Sequence, residues 1–306
     1  MGKSLRIIFM GTPEFAVATL DALVKSRHKV IAVITAPDKP ASRGLKLQAS
    51  AVKEYAVKNN IPVLQPEKLK NPDFISELKS LNADLQVVVA FRMLPEAVWA
   101  MPPLGTINLH ASLLPQYRGA APINWAIING EKESGITTFF IQHEIDTGDI
   151  LMQEHIPIDA NEDAGSLHDK LMVSGAILIV QTLDNVADGN IKPIKQTQIA
   201  AGDLKSAPKI FRNNCRINWK QEASNIFNFV RGLSPYPGAW TEIQEEAEIK
   251  AEVENQKPKT LLKLYKCLAH PEIQMAVGTI AINAQNQLLV GCKQGAIEIL
   301  ELQAEG

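Results

Sequence analysis

LRIIFMGTPEFAVATLDALVKSRHKVIAVI, residues 5–34, is the stretch that decides the fold of the first half of the chain. The apolar run at 5–10 predicts a buried strand. After a turn containing Pro13, apolar residues at helical spacing predict a helix that continues to about Lys25. Residues 29–34 predict a second strand. A strand, a helix and a parallel strand within some thirty residues are the opening of a doubly wound α/β sheet.

The same alternation continues along the chain to residue 189. Strands are predicted at 62–64, 85–90, 106–111, 136–141 and 150–158, and helices at 51–59, 72–81, 123–129 and 163–187. We therefore expect a Rossmann-like doubly wound sheet in an N-terminal domain, residues 1–189, followed by a polar linker at 190–207. A dinucleotide-binding site is disfavoured, because no later glycine follows Gly11 in the spacing of that fingerprint.

Residues 208–306 predict a smaller second domain. A helix is expected at 221–231, closed by Gly232, and five short strands are expected at 239–243, 260–269, 277–282, 288–291 and 296–302. Short strands separated by turn residues predict a small β-barrel. This part of the chain contains as many acidic as basic residues, so it carries no basic surplus.

Composition limits the class of protein. Of the 306 residues, 46% are hydrophobic and 21% charged, with a net charge of −2, which is typical of a globular protein without a general preference for polyanions. The three cysteines, Cys215, Cys267 and Cys292, are too far apart to indicate a zinc site or a disulfide framework. No apolar run reaches the length of a membrane span. We expect a cytoplasmic monomer with no metal site and no membrane partner.

An asparagine and a histidine lie on the predicted strand at 106–111. Asn108 and His110 are two positions apart, so their side chains point to the same face. Histidine exchanges protons near neutral pH, an Asn amide can donate to a developing oxyanion, and Asp146 in the next polar loop could orient the imidazole. Because no serine or cysteine nucleophile stands in a recognisable motif, these residues predict acyl-type transfer between two bound substrates. The alternative is a buried structural histidine beside a capping asparagine.

Longer motifs surround these residues. NLHASLLPQYRGAAP (108–122) and DTGDI (146–150) resemble the folate-dependent formyltransferases. IIFMGTPEFAVATLDAL (7–23) and APDKPASRGLKLQASAVK (36–53) look like the members of that family that formylate aminoacylated initiator tRNA. The resemblance covers nearly the whole chain and is looser after residue 210.

The resemblance implies the formyltransferase fold and a reaction. The donor would be 10-formyltetrahydrofolate and the acceptor the α-amino group of methionine on initiator methionyl-tRNA, with an oligonucleotide-binding (OB)-like C-terminal domain that holds the tRNA. The residues matching the family's catalytic trio are Asn108, His110 and Asp146. Those matching its folate-binding segments are Ser112, Leu113, Leu114 and Pro115, with Phe91, Arg92, Met93, His143, Glu144 and Ile145. Those matching its tRNA-binding loop are Lys39, Arg43 and Lys46.

Two alternatives stay open at this point. A relative with the same trio could act on another amine, such as a sugar nucleotide or glycinamide ribonucleotide, or could hydrolyse formyltetrahydrofolate. An RNA-binding module with an inactive N-terminal half would use the same two domains. The loop around Arg43 and the C-terminal barrel favour tRNA over the small amines, and the complete trio favours an enzyme over a binding module.

Overall fold

The computed structural model of the protein describes residues 2–40, 47–199, 202–243 and 260–304. The chain forms two compact units. The first unit comprises Met1–Gly119, Ser134–Pro157 and His168–Ser206, and the second unit comprises Ala120–Glu133, Ile158–Leu167 and Ala207–Gly306. The domain boundaries expected at residues 189 and 208 stay a prediction.

The helices and strands follow the predicted alternation. Within the described ranges the helices are α1 (Glu14–Lys25), α2 (Ala51–Lys58), α3 (Pro72–Ser80), α4 (Glu96–Trp99), α5 (Pro122–Ile128), α6 (Ala164–Ala187) and α7 (Ala223–Leu233). The strands are β1 (Arg6–Gly11), β2 (Lys29–Ile34), β3 (Lys39–Pro40), β4 (Leu47–Gln48), β5 (Val63–Leu64), β6 (Leu85–Val89), β7 (Thr106–His110), β8 (Arg118–Gly119), β9 (Glu133–Phe140), β10 (Ile150–Pro157), β11 (Ser206–Ala207), β12 (Ala239–Ile243), β13 (Thr260–His270), β14 (Ile280–Ile282), β15 (Leu288–Gly291) and β16 (Ala296–Ala304).

Seven strands of the first unit form one sheet, in the order β10-β9-β7-β6-β1-β2-β5. The pairs from β5 through β7 are parallel, whereas β7 and β9 are antiparallel. The predicted α/β fold with a doubly wound sheet is confirmed. Chain order reverses at β1, with β2 on one side and β6 on the other. In such sheets ligands bind outside the carboxyl ends of the strands near this reversal.

Strand β1 lies at the centre of the hydrophobic core of the sheet. Ile7, Ile8, Phe9 and Met10 are each at most 1% exposed. Full burial of an aliphatic or aromatic side chain of this size contributes about 1.5–3 kcal/mol to folding. The strand therefore holds the middle of the sheet rigidly, which positions the neighbouring carboxyl ends.

Helix α6 packs against one face of β7, and the side chains of Asn108 and His110 lie on the other face. A Cβ added to Gly175 would lie 2.9 Å from Cδ2 of Leu109, so the helix backbone approaches this strand closely. Because alternate residues of a strand point to opposite faces, Asn108 and His110 lie on the face that α6 does not cover.

Helix α6 is also long and apolar enough to cross a membrane by length and composition alone. That is weak evidence, because a core helix passes the same test. Its inward residues Leu167, Leu171, Ile179 and Leu183 are completely buried within the protein.

The second unit contains an antiparallel five-stranded sheet in the order β12-β13-β16-β15-β14. Helix α7 packs against it through Ile226, Val230 and Leu233, which meet Leu264 and Ile297 of the sheet in one core. The predicted C-terminal β domain is confirmed. Closure of this sheet into a barrel stays a prediction.

The role predicted for Gly232 is wrong. This residue lies inside α7, which continues to Leu233, and does not end the helix. A Cβ at Gly232 would lie 2.6 Å from Cγ1 and 3.0 Å from the backbone nitrogen of Ile128 in α5. The glycine is required because two helices cross there at close range, and a distance between helices leaves no mark on local sequence periodicity.

Candidate active site

Strand β7 brings the two polar residues of the predicted trio together. In the parallel pairing Asn108 lies opposite Val88, and in the antiparallel pairing it lies opposite Phe139, while His110 lies opposite Thr137. His110 is buried and Asn108 is half-buried. The sheet therefore presents an amide and an imidazole side by side on a largely apolar surface.

Both ring nitrogens of His110 face oxygen atoms. Nε2 lies 2.9 Å from the carbonyl oxygen of Tyr117, a distance at which an Nε2–H donates a hydrogen bond. Nδ1 lies 3.9 Å from Oδ2 of Asp146, which is ion-pair range but too long for a hydrogen bond. The ring also meets the edge of Phe139, with ring centroids 6.5 Å apart. In this setting a protonated ring has an oxygen opposite each N–H.

Asp146 is held in an unusual backbone conformation. Its φ is +55°, in the left-handed region that a non-glycine residue adopts only when its surroundings support it. Oδ2 accepts a hydrogen bond of 2.9 Å from the backbone N–H of Gly119. Two residues on, a Cβ at Gly148 would lie 1.7 Å from the carbonyl oxygen of Phe140, so only glycine fits. Gly148 is thus required because the loop returns tightly against β9.

Side chains of β9 and β10 hydrogen-bond to the backbone of the turn after β7. Ser112, Leu114 and Pro115 are buried, whereas Leu113 is half-buried. The Thr137 hydroxyl donates to the Ser112 carbonyl (2.6 Å) and accepts from the Leu114 N–H (3.1 Å). Gln153 donates to the Leu114 carbonyl at 2.8 Å. The backbone of this predicted folate-binding segment is therefore held in place, and three of its four side chains are buried.

The predicted folate-binding segment after β6, residues 91–93, has an exposed apolar side chain. Met93 is 74% exposed and Phe91 is half-buried. The Arg92 guanidinium donates to the carbonyls of Pro66 and Glu67 and lies 5.6 Å from the Phe91 ring centroid. Partial burial lowers the pKa of Arg92. Arg92 thus ties this edge to the segment after β5.

The third predicted folate-binding segment precedes Asp146. His143, Glu144 and Ile145 are all exposed, and Ile145 is 59% exposed. The Thr147 hydroxyl donates to the Glu144 carbonyl at 3.1 Å, which tightens the turn. An exposed isoleucine beside an aspartate whose side chain is only 11% exposed is the kind of apolar surface that a ligand can cover.

Gln196 belongs to this site although sequence reasoning assigned it to a polar linker. Its side-chain amide donates to the carbonyl oxygens of Asp146 (2.9 Å) and Gly148 (2.8 Å). Its Oε1 accepts from Nε of Arg118 at 3.0 Å. Gln196 is only 4% exposed. No sequence signal indicates this role, because a glutamine in an irregular polar segment has no periodicity or motif to distinguish it.

The predicted tRNA loop is described only at its ends. Lys39 is exposed in β3, which pairs with β4, while Arg43 and Lys46 lie outside the described residues. The base of the loop is fixed by Asp38, which accepts from Lys53 at 2.5 Å and from Gln65 at 2.8 Å. The hydrogen bond from Lys53, followed by that from Gln65, lowers the pKa of Asp38.

The second unit carries a groove of about 380 Å³ that mixes cationic and aromatic side chains. Lys209, Arg212 and Lys263 line it together with Trp240 and with Tyr236, whose side chain is 83% exposed. The Trp240 indole donates to the Arg212 carbonyl at 2.8 Å, which fixes the ring in place. The balanced overall charge of this part of the sequence concealed the local concentration of cations.

The described ranges contain no cluster of three or more His, Cys, Asp or Glu side chains arranged to hold a metal ion.

Comparison with known proteins supplies the family. A family described as "Formyl transferase" matches residues 5–183, and its C-terminal domain matches residues 209–306. The methionyl-tRNA formyltransferase of Bacteroides fragilis is 50% identical over 306 residues, covering 99% of this chain and 92% of the relative. That of Parabacteroides distasonis is 52% identical over 308 residues, again covering 99% and 92%.

The fold also matches a solved structure. HypX from Aquifex aeolicus, in complex with tetrahydrofolic acid, superposes with a TM-score of 0.63 at 18% identity. The match covers 99% of this chain but only 45% of HypX. At that identity the likeness establishes the fold alone. Both domain matches and the half-identical relatives show that the chain belongs to the formyl transferase family, among its methionyl-tRNA formyltransferases.

Proposed function

We propose that this protein transfers the formyl group of 10-formyltetrahydrofolate to the α-amino group of methionine on initiator methionyl-tRNA, in the cytoplasm. The observation that carries the proposal is the buried His110, set between the Tyr117 carbonyl and Asp146, with Asn108 on the same strand face. The relatives named methionyl-tRNA formyltransferase, identical at half of all positions, support the choice of acceptor.

The edges around β7 suit a folate-type donor. Met93 and Ile145 are exposed apolar side chains on two segments that border the polar pair, one after β6 and one immediately before Asp146. A flat heteroaromatic ring could cover them while hydrogen-bonding to backbone groups of 91–93 and 143–145. The donor supplies an activated formyl group. The turn at 112–115, whose backbone is held by hydrogen bonds from Thr137 and Gln153, would line one side of the donor site.

The chain's own residues provide the proton handling and charge stabilisation. Asn108 donates an amide hydrogen bond to the oxygen of the formyl carbon as negative charge develops there; loss of one such donor elsewhere costs about 3 kcal/mol. As the acceptor amine forms a bond to the formyl carbon and the bond from that carbon to the donor nitrogen breaks, protonated His110 stabilises the same charge, passes its proton to the departing nitrogen and regains one from the amine. Asp146 orients the imidazole and stabilises its positive charge.

Each unit, taken by itself, has a surface that suits RNA. In the first unit the loop with Lys39, Arg43 and Lys46 supplies cations for phosphate contacts. In the second unit the groove with Tyr236 and Trp240 offers aromatic faces among cations, a combination that binds single-stranded nucleic acid. These surfaces favour RNA over a small amine.

The test is direct formylation. The protein is incubated with 10-formyltetrahydrofolate and initiator tRNA charged with methionine, and formylmethionine is measured on the RNA. A sugar nucleotide and glycinamide ribonucleotide serve as competing amines. We expect product on tRNA only. Formylation of a small amine, with none on tRNA, would overturn the proposed acceptor.

A further inference from the structure

Gln196 connects the two backbone segments that hold the His110–Asp146 pair. On one side its amide nitrogen donates to the carbonyls of Asp146 and Gly148, at 2.9 and 2.8 Å. On the other side its amide oxygen accepts from Arg118, at 3.0 Å from Nε and 2.5 Å from Nη2. Every polar atom of this buried amide therefore has a partner.

One segment contains Asp146 itself, and the other, around Arg118, contacts both members of the pair directly. Gly119, next to Arg118, donates its backbone N–H to Oδ2 of Asp146. Tyr117, on the other side of Arg118, accepts from Nε2 of His110. A shift of either segment would therefore change the position of the carboxylate or of the ring.

The segment carrying Gln196 is itself anchored beside the loop. Ile194 exchanges two backbone hydrogen bonds, each 2.8 Å, with Ile150 at the start of β10. Ile150 follows the Asp146 loop by only four residues. The 3-10 helix Gln196–Gln198 then turns the glutamine inward, whereas Gln198 stays exposed.

Asp146 needs such support because its φ of +55° is unfavourable for a residue with a Cβ. An unsupported loop would relax from this conformation and move the carboxylate. Displacing a catalytic group by about 1 Å can cost on the order of a hundredfold in rate.

We propose that Gln196 is a positioning residue for formyl transfer, which holds the carboxylate of Asp146 against His110 through the backbone of 146–148 and the guanidinium of Arg118. This proposal rests on the proposed function of the His110–Asp146 pair. Gln196 acts through that pair and does not itself reach the reacting atoms.

Methionine at position 196 removes the donors and the acceptor but keeps the length of the side chain. Gln196→Met should lower kcat for tRNA formylation by about 10- to 100-fold, with KM for both substrates within about twofold. Gln198→Met, in the same 3-10 helix, is the matched control and should keep the parent kcat. The pH profile of kcat for Gln196→Met should take the shape of that for Asp146→Asn, which a merely structural role would not produce.

A double variant tests whether Gln196 acts through Asp146. If it does, adding Gln196→Met to Asp146→Asn should lower kcat little further than Asp146→Asn alone. Losses that multiply, or a Gln196→Met kcat equal to that of the Gln198→Met control, would overturn the proposal. A parent protein that formylates no tRNA would instead refute the proposed function.

Glutamate at position 196 separates the two halves of the bridge. Gln196→Glu keeps an acceptor for Arg118 but replaces both donors by a carboxylate oxygen that faces the carbonyls of Asp146 and Gly148. We expect a kcat at least as low as that of Gln196→Met, and the melting temperature of each variant checks that it is folded. Parent-like kcat in Gln196→Glu would show that the two carbonyl bonds are dispensable, against the proposal.

Discussion

Replacing Asp146 by asparagine tests the proposed stabilisation of protonated His110 by the carboxylate. The distance between Oδ2 and Nδ1 is 3.9 Å, and both side chains are about nine-tenths buried. Two unit charges at that distance attract by about 4 kcal/mol at an effective dielectric constant of about 20. Because 1.36 kcal/mol corresponds to a factor of ten, the loss of this attraction predicts a fall in kcat of up to about a thousandfold. An asparagine oxygen can still accept from Gly119, so the fold should be kept.

The assay is single-turnover transfer of the formyl group to charged initiator tRNA, with both substrates saturating. Asp149→Asn, in the same loop and equal in charge change, is the control and should keep most of the activity. The melting temperatures of both variants should stay near the parent's. If Asp146→Asn kept more than about a tenth of the parent rate, the electrostatic role derived from the 3.9 Å approach would be refuted.

Three further predictions concern the second unit. Tyr236→Ala should raise KM for tRNA and leave folate affinity unchanged, because a stacked base contributes about 1–3 kcal/mol. Gly232→Ala should destabilise the protein by about 1–3 kcal/mol in urea unfolding, because its Cβ would lie 2.6 Å from Ile128. The carboxylate of Glu298, followed by that of Glu272, raises the pKa of His270 in the folded protein. The stability that His270 contributes is therefore complete below its pKa in the unfolded chain, and is lost as the pH rises through its pKa in the folded protein. His270→Gln should therefore lower the melting temperature more at about pH 5.5 than at about pH 8.5.

The substitutions of Gly232 and Tyr236 each have a matched control. Gly202→Ala should be nearly neutral, because a Cβ there meets nothing within 4 Å; equal stability losses at both glycines would contradict the packing argument. Tyr265→Ala removes a tyrosine that is not among the residues lining the groove and should keep the parent KM for tRNA. A melting-temperature difference for His270→Gln that stays constant with pH would mean that the raised pKa has no consequence for folding.

Local patterns in the sequence were enough for the framework of the first unit. Strand β2 begins and ends at the predicted residues 29 and 34, and helix α2 begins at the predicted residue 51. These elements depend on apolar spacing and on caps such as Ser50, which accepts from the Lys53 N–H within its own segment. The placement of Asn108 and His110 on one face follows from strand alternation alone.

The sequence also identified the family, because long motifs such as residues 108–122 specify both a backbone path and its side chains. It could not indicate which side chains the predicted folate segment leaves available. Ser112 and Leu114 are buried. The backbone of the same segment is held by Thr137 and Gln153, which lie far along the chain.

Only the tertiary structure decided the roles of Gln196 and Gly232. The Gln196 amide meets Asp146 fifty residues away, and Gly232 meets Ile128 across two helices. The mixed groove likewise gathers Lys209 and Lys263 from separate strands and loops. Sequence periodicity reports which face of an element is buried, but it carries no information about which distant residue lies opposite. Those pairings exist only once the chain has folded.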